Sequence, residues 1–416
     1  MNTIKKTIFL FAIMFFGISG LKAQFNLSGE FRPRTELSHG YKTLAHADQV
    51  ASLFTSQRTR VNFGYKSDRL TSKFVLQDVR NWGGQKQLAG NEDFAASVHE
   101  AWAQAKLHYG ISLRVGRQEL GYDNSRIFGN VGWAQQGRSH DLLLLKYEEN
   151  FNLHVGVAYN QSGVRTNNFY FGPDAYKAMQ FVWFNKSFGR LNVSLLALNN
   201  GVPYTISTGD AGEITEQGIR YSQTMGTYLA YKAGKLSFGG NVYYQMGKDP
   251  SGKELSAYEV LVEAGYAFSA KSKIGLSYEK LSGTNTSGAT VNNSFTPLYG
   301  TNHKFNGHMD YFFVGNHINS VGLQDVTFSI SQKVHKHTIN AHVHAFMSSV
   351  ALTSGNFLGT ELDLFLVHPI GDNIKIQLGY SQMFAGDDMA DIKTGSVDAT
   401  SNWAYVMFVF TPKYIK

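Results

Sequence analysis

The chain has 416 residues and a formal charge of +7, with Phe 30, Tyr 22, Gly 42, Pro 7 and no cysteine. The missing cysteine excludes a disulfide framework and a lipid-modified N-terminus. A charge this mild, without a DNA- or RNA-binding motif, excludes a nucleic-acid partner.

The first element is a secretory signal. Lys5 and Lys6 precede an unbroken apolar run from Ile8 to Phe16, and Leu21-Lys22-Ala23 ends on the small residue that signal peptidase requires. Cleavage is expected near Ala23/Gln24, giving residues 1–23 as signal peptide and 24–416 as one barrel domain. The apolar core is short of the roughly 20 residues that span a bilayer as a helix. Losing Lys5, Lys6 and Lys22 takes the charge from +7 to about +4. Beyond Ala23 no stretch approaches the roughly 18 apolar residues of a transmembrane helix. A soluble β-protein and an outer-membrane barrel remain.

Period-two alternation runs through the rest of the chain. Leu236, Phe238, Val242, Tyr244 and Met246 share one face, with Ser237, Asn241 and Gln245 on the other. The apolar faces begin or end on aromatics (Phe63/Tyr65, Tyr266/Phe268, Phe408/Phe410), as aromatic girdles at two lipid interfaces require. The pattern predicts strands near 25–37, 53–67, 70–82, 97–109, 111–122, 138–148, 151–160, 175–187, 190–201, 216–232, 235–247, 254–269, 272–283, 318–333, 336–349, 356–368, 372–385 and 401–412. Short turns, such as Ser67-Asp68 and Ala233-Gly234, alternate with longer loops near 38–52, 83–96, 123–137, 161–174, 202–215, 248–253, 284–317, 350–355 and 386–400. Short periplasmic turns and long extracellular loops define an all-β, transmembrane antiparallel barrel of about 18 strands, 16 being the alternative count. A barrel that wide encloses an aqueous lumen unless loops plug it, and the 284–317 loop is long enough to fold inward. The first strand starts at the expected cleavage site, which leaves no room for the plug of an energy-coupled transporter.

The inward set of the first strands is charged. Glu30, Arg32, Arg34 and Glu36 share one face of the first strand; Arg58 and Arg60 share one face of the second. An arginine facing lipid near the midplane costs about 2–4 kcal/mol, so these side chains belong to the lumen or beyond the bilayer. Two readings stand: arginines that attract and grip anions, or a cross-strand ladder with Glu30, Glu36 and Glu100 that holds the barrel's shape. The densest run, Arg114, Gly116-Arg117-Gln118-Glu119, Tyr122, Arg126, Phe128-Gly129, Trp133, Gln136, Gly137-Arg138 and Asp141, combines cations, aromatics and amides that suit sugars and equally suit pinning a loop.

Gly116-Arg117-Gln118-Glu119-Leu120, Arg126-x-Phe128-Gly129, Trp133 and Gly137-Arg138-x-x-Asp141 resemble the central pattern of the alginate export family of outer-membrane channels. Phe295-Thr296-Pro297-Leu298-Tyr299-Gly300-Thr301, followed by His303, Gly307, Asp310 and Tyr311-Phe312, resembles a second block of that family. Phe31-Arg32-Pro33-Arg34-Thr35-Glu36 and Gln77-Asp78-x-Arg80-x-Trp82 are similar too. The resemblance implies an 18-stranded barrel with an arginine-rich constriction that passes an anionic polyuronate. It is weaker at the C-terminus, where Phe408 and Phe410 are followed by Thr-Pro-Lys-Tyr-Ile-Lys instead of a final aromatic.

Other constellations carry less. His342 and His344 share a strand face near His335 and His337, but the sequence identifies no third ligand, and no metal or cofactor is expected. Asp387, Asp388 and Asp391 lack calcium-loop spacing. Glu361 and Asp363 read as a lumenal charge patch balancing nearby Arg and Lys. No Gly-x-Ser-x-Gly elbow, His-Glu-x-x-His motif or outward Ser/His pair supports an enzyme.

The expectation is a passive channel for anionic sugars or oligosaccharides. Arg32, Arg34, Arg58, Arg60 and Arg114 line it, Arg117 and Arg138 stand at the constriction, and Glu30, Glu36, Glu100 and Asp141 hold the arginines. Its partners are outer-membrane lipid, the solute and the barrel-assembly machinery. A general porin and an adhesive or structural surface barrel are the alternatives.

Overall fold

The computed structural model describes residues 24–88, 96–164, 176–208, 213–285, 288–313, 315–317 and 319–415; the expected signal peptide lies outside them. The strands, in chain order, are β1 (Gln24–His39), β2 (Ser52–Lys66), β3 (Leu70–Asn81), β4 (Ser97–Lys106), β5 (Ile111–Gln118), β6 (His140–Glu148), β7 (Asn152–Tyr159), β8 (Ala178–Phe188), β9 (Leu191–Thr208), β10 (Glu213–Ala233), β11 (Leu236–Lys248), β12 (Glu254–Ala267), β13 (Ser272–Leu281), β14 (Val291–Asn292), β15 (Leu323–Val334), β16 (His337–Met347), β17 (Phe357–Gly371), β18 (Ile374–Ala385), β19 (Ser401–Phe410) and β20 (Lys413–Ile415). Every long strand pairs antiparallel with its neighbour, and β19 returns to β1, pairing Phe31 with Phe410 and Glu36 with Tyr405. Eighteen strands therefore close a barrel without an edge, which satisfies every ladder in lipid. The two-residue β14 lies in a loop beside β12, and β20 continues the β19 edge past Pro412 to pair with Leu27 and Ser28. The atypical C-terminus thus still closes the barrel, with Tyr414 near Gly29.

Each strand's alternation is inside-out relative to a soluble protein. Phe74, Leu143, Leu145, Val182, Leu195, Val242, Phe328, Val343 and Phe408 form an exposed apolar belt, whereas Arg32, Arg58, Glu259, Asp325 and Asp363 are buried inside. Water could not tolerate so continuous an apolar surface on a monomer, and lipid does.

All eighteen expected strands are present. Two boundaries move for physical reasons. The strand expected over 111–122 stops at Gln118, because the chain then bends into the lumen. The loop expected at 202–215 is mostly hairpin: Tyr204 pairs with Gly218 and Ile206 with Glu216, so β9 and β10 extend beyond their neighbours.

The core sits inside the barrel. Residues 119–139, between β5 and β6, fold inward, and Tyr122 and Phe128 pack on Phe181, with Trp183, Leu142, Leu144, Leu196 and Leu198 in the same buried cluster. The β6 and β9 runs of leucine are apolar on both faces for this reason: one face meets lipid, the other the inward loop.

Candidate functional site: two inward loops in a charged lumen

Two segments fill the upper lumen, residues 119–139 and the described residues of the 282–322 loop between β13 and β15. They zip together. Gly129 N–H donates to Tyr299 O at 2.9 Å, Thr301 N–H donates to Ser125 O at 2.9 Å, and the Phe128 and Tyr299 rings stack at 5.8 Å. A Cβ on Gly129 would lie 2.7 Å from Thr301 N, and one on Gly300 would lie 2.2 Å from Arg126 O. Both glycines are there because two backbones touch. The two motif blocks, far apart in sequence, are one structural unit.

The first loop crosses to the β1–β2 wall, where the arginines hold it. Arg32 donates to Gly132 O (2.7 Å), Trp133 O, Ala134 O and the Gln135 side chain. Arg34 donates to Trp133 O at 2.9 Å, and its guanidinium lies 4.1 Å from the Trp133 ring. Arg58 donates to Ala134 O and pairs with Glu30 at 2.6 Å. Arg60 reaches Gln136 O, Gln77 and, at 3.7 Å, Glu119. Arg138 donates to Gly300 O at 3.0 Å, tying the loops together; burial lowers the pKa of its guanidinium. Glu36 accepts from Arg34 at 2.8 Å.

Three expected placements are corrected. Arg117 points outward, paired at 2.7 Å with Asp141, both side chains about half exposed. Arg114 faces the lumen, and an odd separation on a strand puts Arg117 on the opposite face, so neither Arg117 nor Asp141 stands at the constriction. Glu100 holds Lys73 and the Trp102 indole instead of an arginine. Arg114 itself rests on the Trp102 ring at 4.0 Å and donates to Gln104 at 2.8 Å.

The opposite wall is acidic. Glu259, Glu279, Asp325, Glu361 and Asp363 are buried on the inner faces of β12, β13, β15 and β17. Arg126 of the first loop pairs with Glu279 at 2.8 Å and donates to Asn306, which in turn donates to Glu279 and Asp325. Glu361 accepts the Met309 N–H at 2.8 Å. Glu361 and Asp363 therefore hold the second loop and its histidines, where lumenal Arg and Lys were expected. His344 Nδ1 lies 3.0 Å from Asp325, and ligand atoms of His308, His342 and Asp363 lie within 4.8 Å of one another. His308 reaches β16 only through the path of the second loop, which leaves no periodic mark in the sequence. Asp388 and Asp391 accept the Ser354 and Thr353 N–H groups and so tie two extracellular loops.

Two cavities adjoin the β1–β2 arginines. One of about 490 Å³ lies at the short-turn end, lined by Glu30, Arg32, Arg58, Asp372, Lys375 and Gln377. One of about 430 Å³ opens among the long loops, with Arg34, Tyr41, Lys42, Trp133, Arg138 and His303 in its wall. There Trp133 stacks on His303 at 4.4 Å, and Asp310 accepts from Tyr41. Burial, then the Asp310 charge and hydrogen bond, raise the Tyr41 hydroxyl well above its ordinary pKa.

A closed 18-stranded barrel with an apolar outer belt and inward loops is an outer-membrane barrel of the porin type. The sequence model of the alginate export family matches residues 24–402, and the chain belongs to that family. Among solved structures, it resembles OccAB1 of Acinetobacter baumannii (TM-score 0.63, 12% identity, 95% of this chain and 99% of that one). OccK5 (OpdH) of Pseudomonas aeruginosa is similar at TM-score 0.60 and 9% identity, over 94% of this chain and 98% of that one. So is Pseudomonas aeruginosa OpdK, solved with vanillate (TM-score 0.56, 8% identity, 93% and 99%). No curated protein matches the chain in sequence.

Proposed function

We propose that the chain is a passive, non-enzymatic outer-membrane channel that prefers anionic sugars or oligosaccharides, polyuronates among them. It reaches the membrane through the barrel-assembly machinery after cleavage near Ala23/Gln24. One observation carries the preference: the β1–β2 arginines spend most of their hydrogen bonds on loop carbonyls, which satisfy geometry without cancelling charge. Four arginines there (Arg32, Arg34, Arg58, Arg60) face three carboxylates, Glu30, Glu36 and Glu119. The wall keeps net positive charge in a low-dielectric setting, where it concentrates anions.

The roles divide accordingly. Arg32, Arg34 and Arg58 fix the constricting loop and supply field. Arg138, with Lys42 at the outer cavity, meets the solute's carboxylates, and Trp133 offers an aromatic face to a sugar ring. Arg60 and Arg114 act through their field along the wall.

The acidic wall opposite favours a second reading, a general porin whose transverse field leaves little net selectivity. Planar-bilayer reversal potentials across a KCl gradient, with and without polyuronate, separate the two. Anion preference that falls in Arg60→Ala and Arg138→Ala, with block by the polymer, supports the anionic-sugar channel. A stable pore without selectivity or block favours the general porin.

A further inference from the structure

We propose that His308, His342 and Asp363, with His344 as a fourth donor, form a binding site for a divalent first-row metal ion of the zinc class, which staples the second inward loop to the barrel wall. The site needs no assumption about the solute.

The donors come from three segments. His342 and His344 project inward from β16, and the register places His342 opposite Asp363 of β17 and His344 opposite Glu361. His308 comes from the loop, its Nδ1 4.0 Å from Asp363 Oδ1 and its ring 5.7 Å from that of His342. The backbone holds it there. Gly307 sits at φ 83°, where a Cβ would lie 2.6 Å from Glu361 Oε1. Glu361 also accepts the Met309 N–H, and Asp363 accepts the His308 N–H at 3.3 Å. The loop is thus clamped on both sides of the imidazole.

Two further features point to a cation. His344 is buried, and its Nε2 has no hydrogen-bond partner although it lies 3.6 Å from Asp363 Oδ2. Its other nitrogen is held by Asp325, the carboxylate–imidazole arrangement that orients a metal-binding histidine. Asp363 is oriented in the same way by the Ser381 hydroxyl. The surroundings also carry a surplus of carboxylates over Arg126. Imidazoles plus one carboxylate are a donor set for zinc; the ligand atoms of His308, His342 and Asp363, within 4.8 Å of one another, have to close to about 3.3 Å around an ion at about 2.0–2.1 Å, and His344 Nε2 stands 3.6 Å from Asp363 Oδ2. His308 and His342 are partly exposed, which gives an ion a route from the lumen.

The alternative is an imidazole–carboxylate hydrogen-bond network that holds no ion. The test uses protein purified from outer membranes in detergent, stripped with a chelator and titrated with Zn²⁺ by calorimetry, then with Co²⁺ by visible absorption. The expected result is one equivalent of Zn²⁺ and the intense d–d bands of a four-coordinate Co²⁺ site. His308→Ala, His342→Ala and Asp363→Asn weaken binding at least tenfold. His337→Ala, in the separate pair with His368 near the short turns, leaves it unchanged. His308 lies on a loop, so barrel closure, read as the heat-dependent gel shift, survives its loss. No stoichiometric Zn²⁺ binding by the parent protein, or parent-like binding by the His308 and His342 variants, overturns the metal site and leaves the hydrogen-bond network.

Discussion

Arg126 and Glu279 form an ion pair at 2.8 Å with side chains only 1% and 5% exposed, linking the first inward loop to the acidic wall. Arg126 also lies 4.5 Å from the Phe305 ring of the second loop, so one guanidinium joins both loops and the barrel. Removing one partner of a buried pair leaves an uncompensated charge and costs about 3–5 kcal/mol. Arg126→Met is expected to lower the unfolding free energy measured by urea titration by that order. Arg126→Met combined with Glu279→Gln is expected to recover much of it, because no charge is then stranded. An equal loss in single and double variants refutes the pairing argument.

The Gly129–Thr301 contact makes a different prediction. Gly129→Ala puts a Cβ where the Thr301 backbone lies, and Gly300→Ala does the same against Arg126 O. Overpacking of this kind costs about 1–3 kcal/mol. The strands do not depend on the contact, so the barrel is expected to form and the loops to separate. Bilayer recordings should show larger and noisier conductance in both variants, with an unchanged heat-dependent gel shift. Conductance identical to the parent protein counts against the zipped loops as the constriction.

The barrel was legible because strand and turn leave periodic marks: alternation at period two, short turns every second link, aromatics at strand ends. The inward loops carry no period, so their two motif blocks were visible as patterns while their contact was not. The outward face of Arg117 follows from a spacing the sequence already contains: Arg114 and Arg117 are three apart, and a strand sends them to opposite faces. Leu142 to Leu145 is apolar on both faces, a mark of a lumenal wall covered by protein that composition alone did not interpret. His342 and His344 stood out as a pair. Asp363 and His308 join them only through hairpin register and loop path, which the 348–356 and 282–322 connections hide.

Trp133 connects the basic wall to the outer cavity: Arg34 lies over its ring, and His303 and Tyr405 pack at 4.4 and 4.9 Å. Trp133→Ala removes a cation–π contact worth on the order of 1 kcal/mol and the only tryptophan face lining the outer cavity among the described residues. Single-channel conductance is expected to rise modestly and the half-blocking concentration of polyuronate to rise several-fold. Trp133→Phe should retain most of the block. Parent-like block in the alanine variant argues against a stacking role for this ring.

His317 gives the second loop a pH dependence. It is buried, its Nε2 is 3.1 Å from Gly322 O, and it packs edge-on to Phe312 at 5.1 Å. Burial, with the Lys393 charge, lowers its pKa to about 4, against 6.5 for the free imidazole. The folded loop therefore binds the proton less readily than the opened loop. Its contribution is complete above pH 6.5 and is lost as pH falls from 6.5 toward 4, because the opened state is protonated first across that window. The linked free energy is on the order of 3 kcal/mol. Hydrogen exchange in residues 310–313 and 319–322, corrected for intrinsic rates, is expected to show protection at pH 7 that declines by pH 4.5. His317→Gln keeps a donor and removes the titration, so its protection should change less over the same interval. Equal pH dependence in the two proteins would place the titrating group elsewhere in the loop.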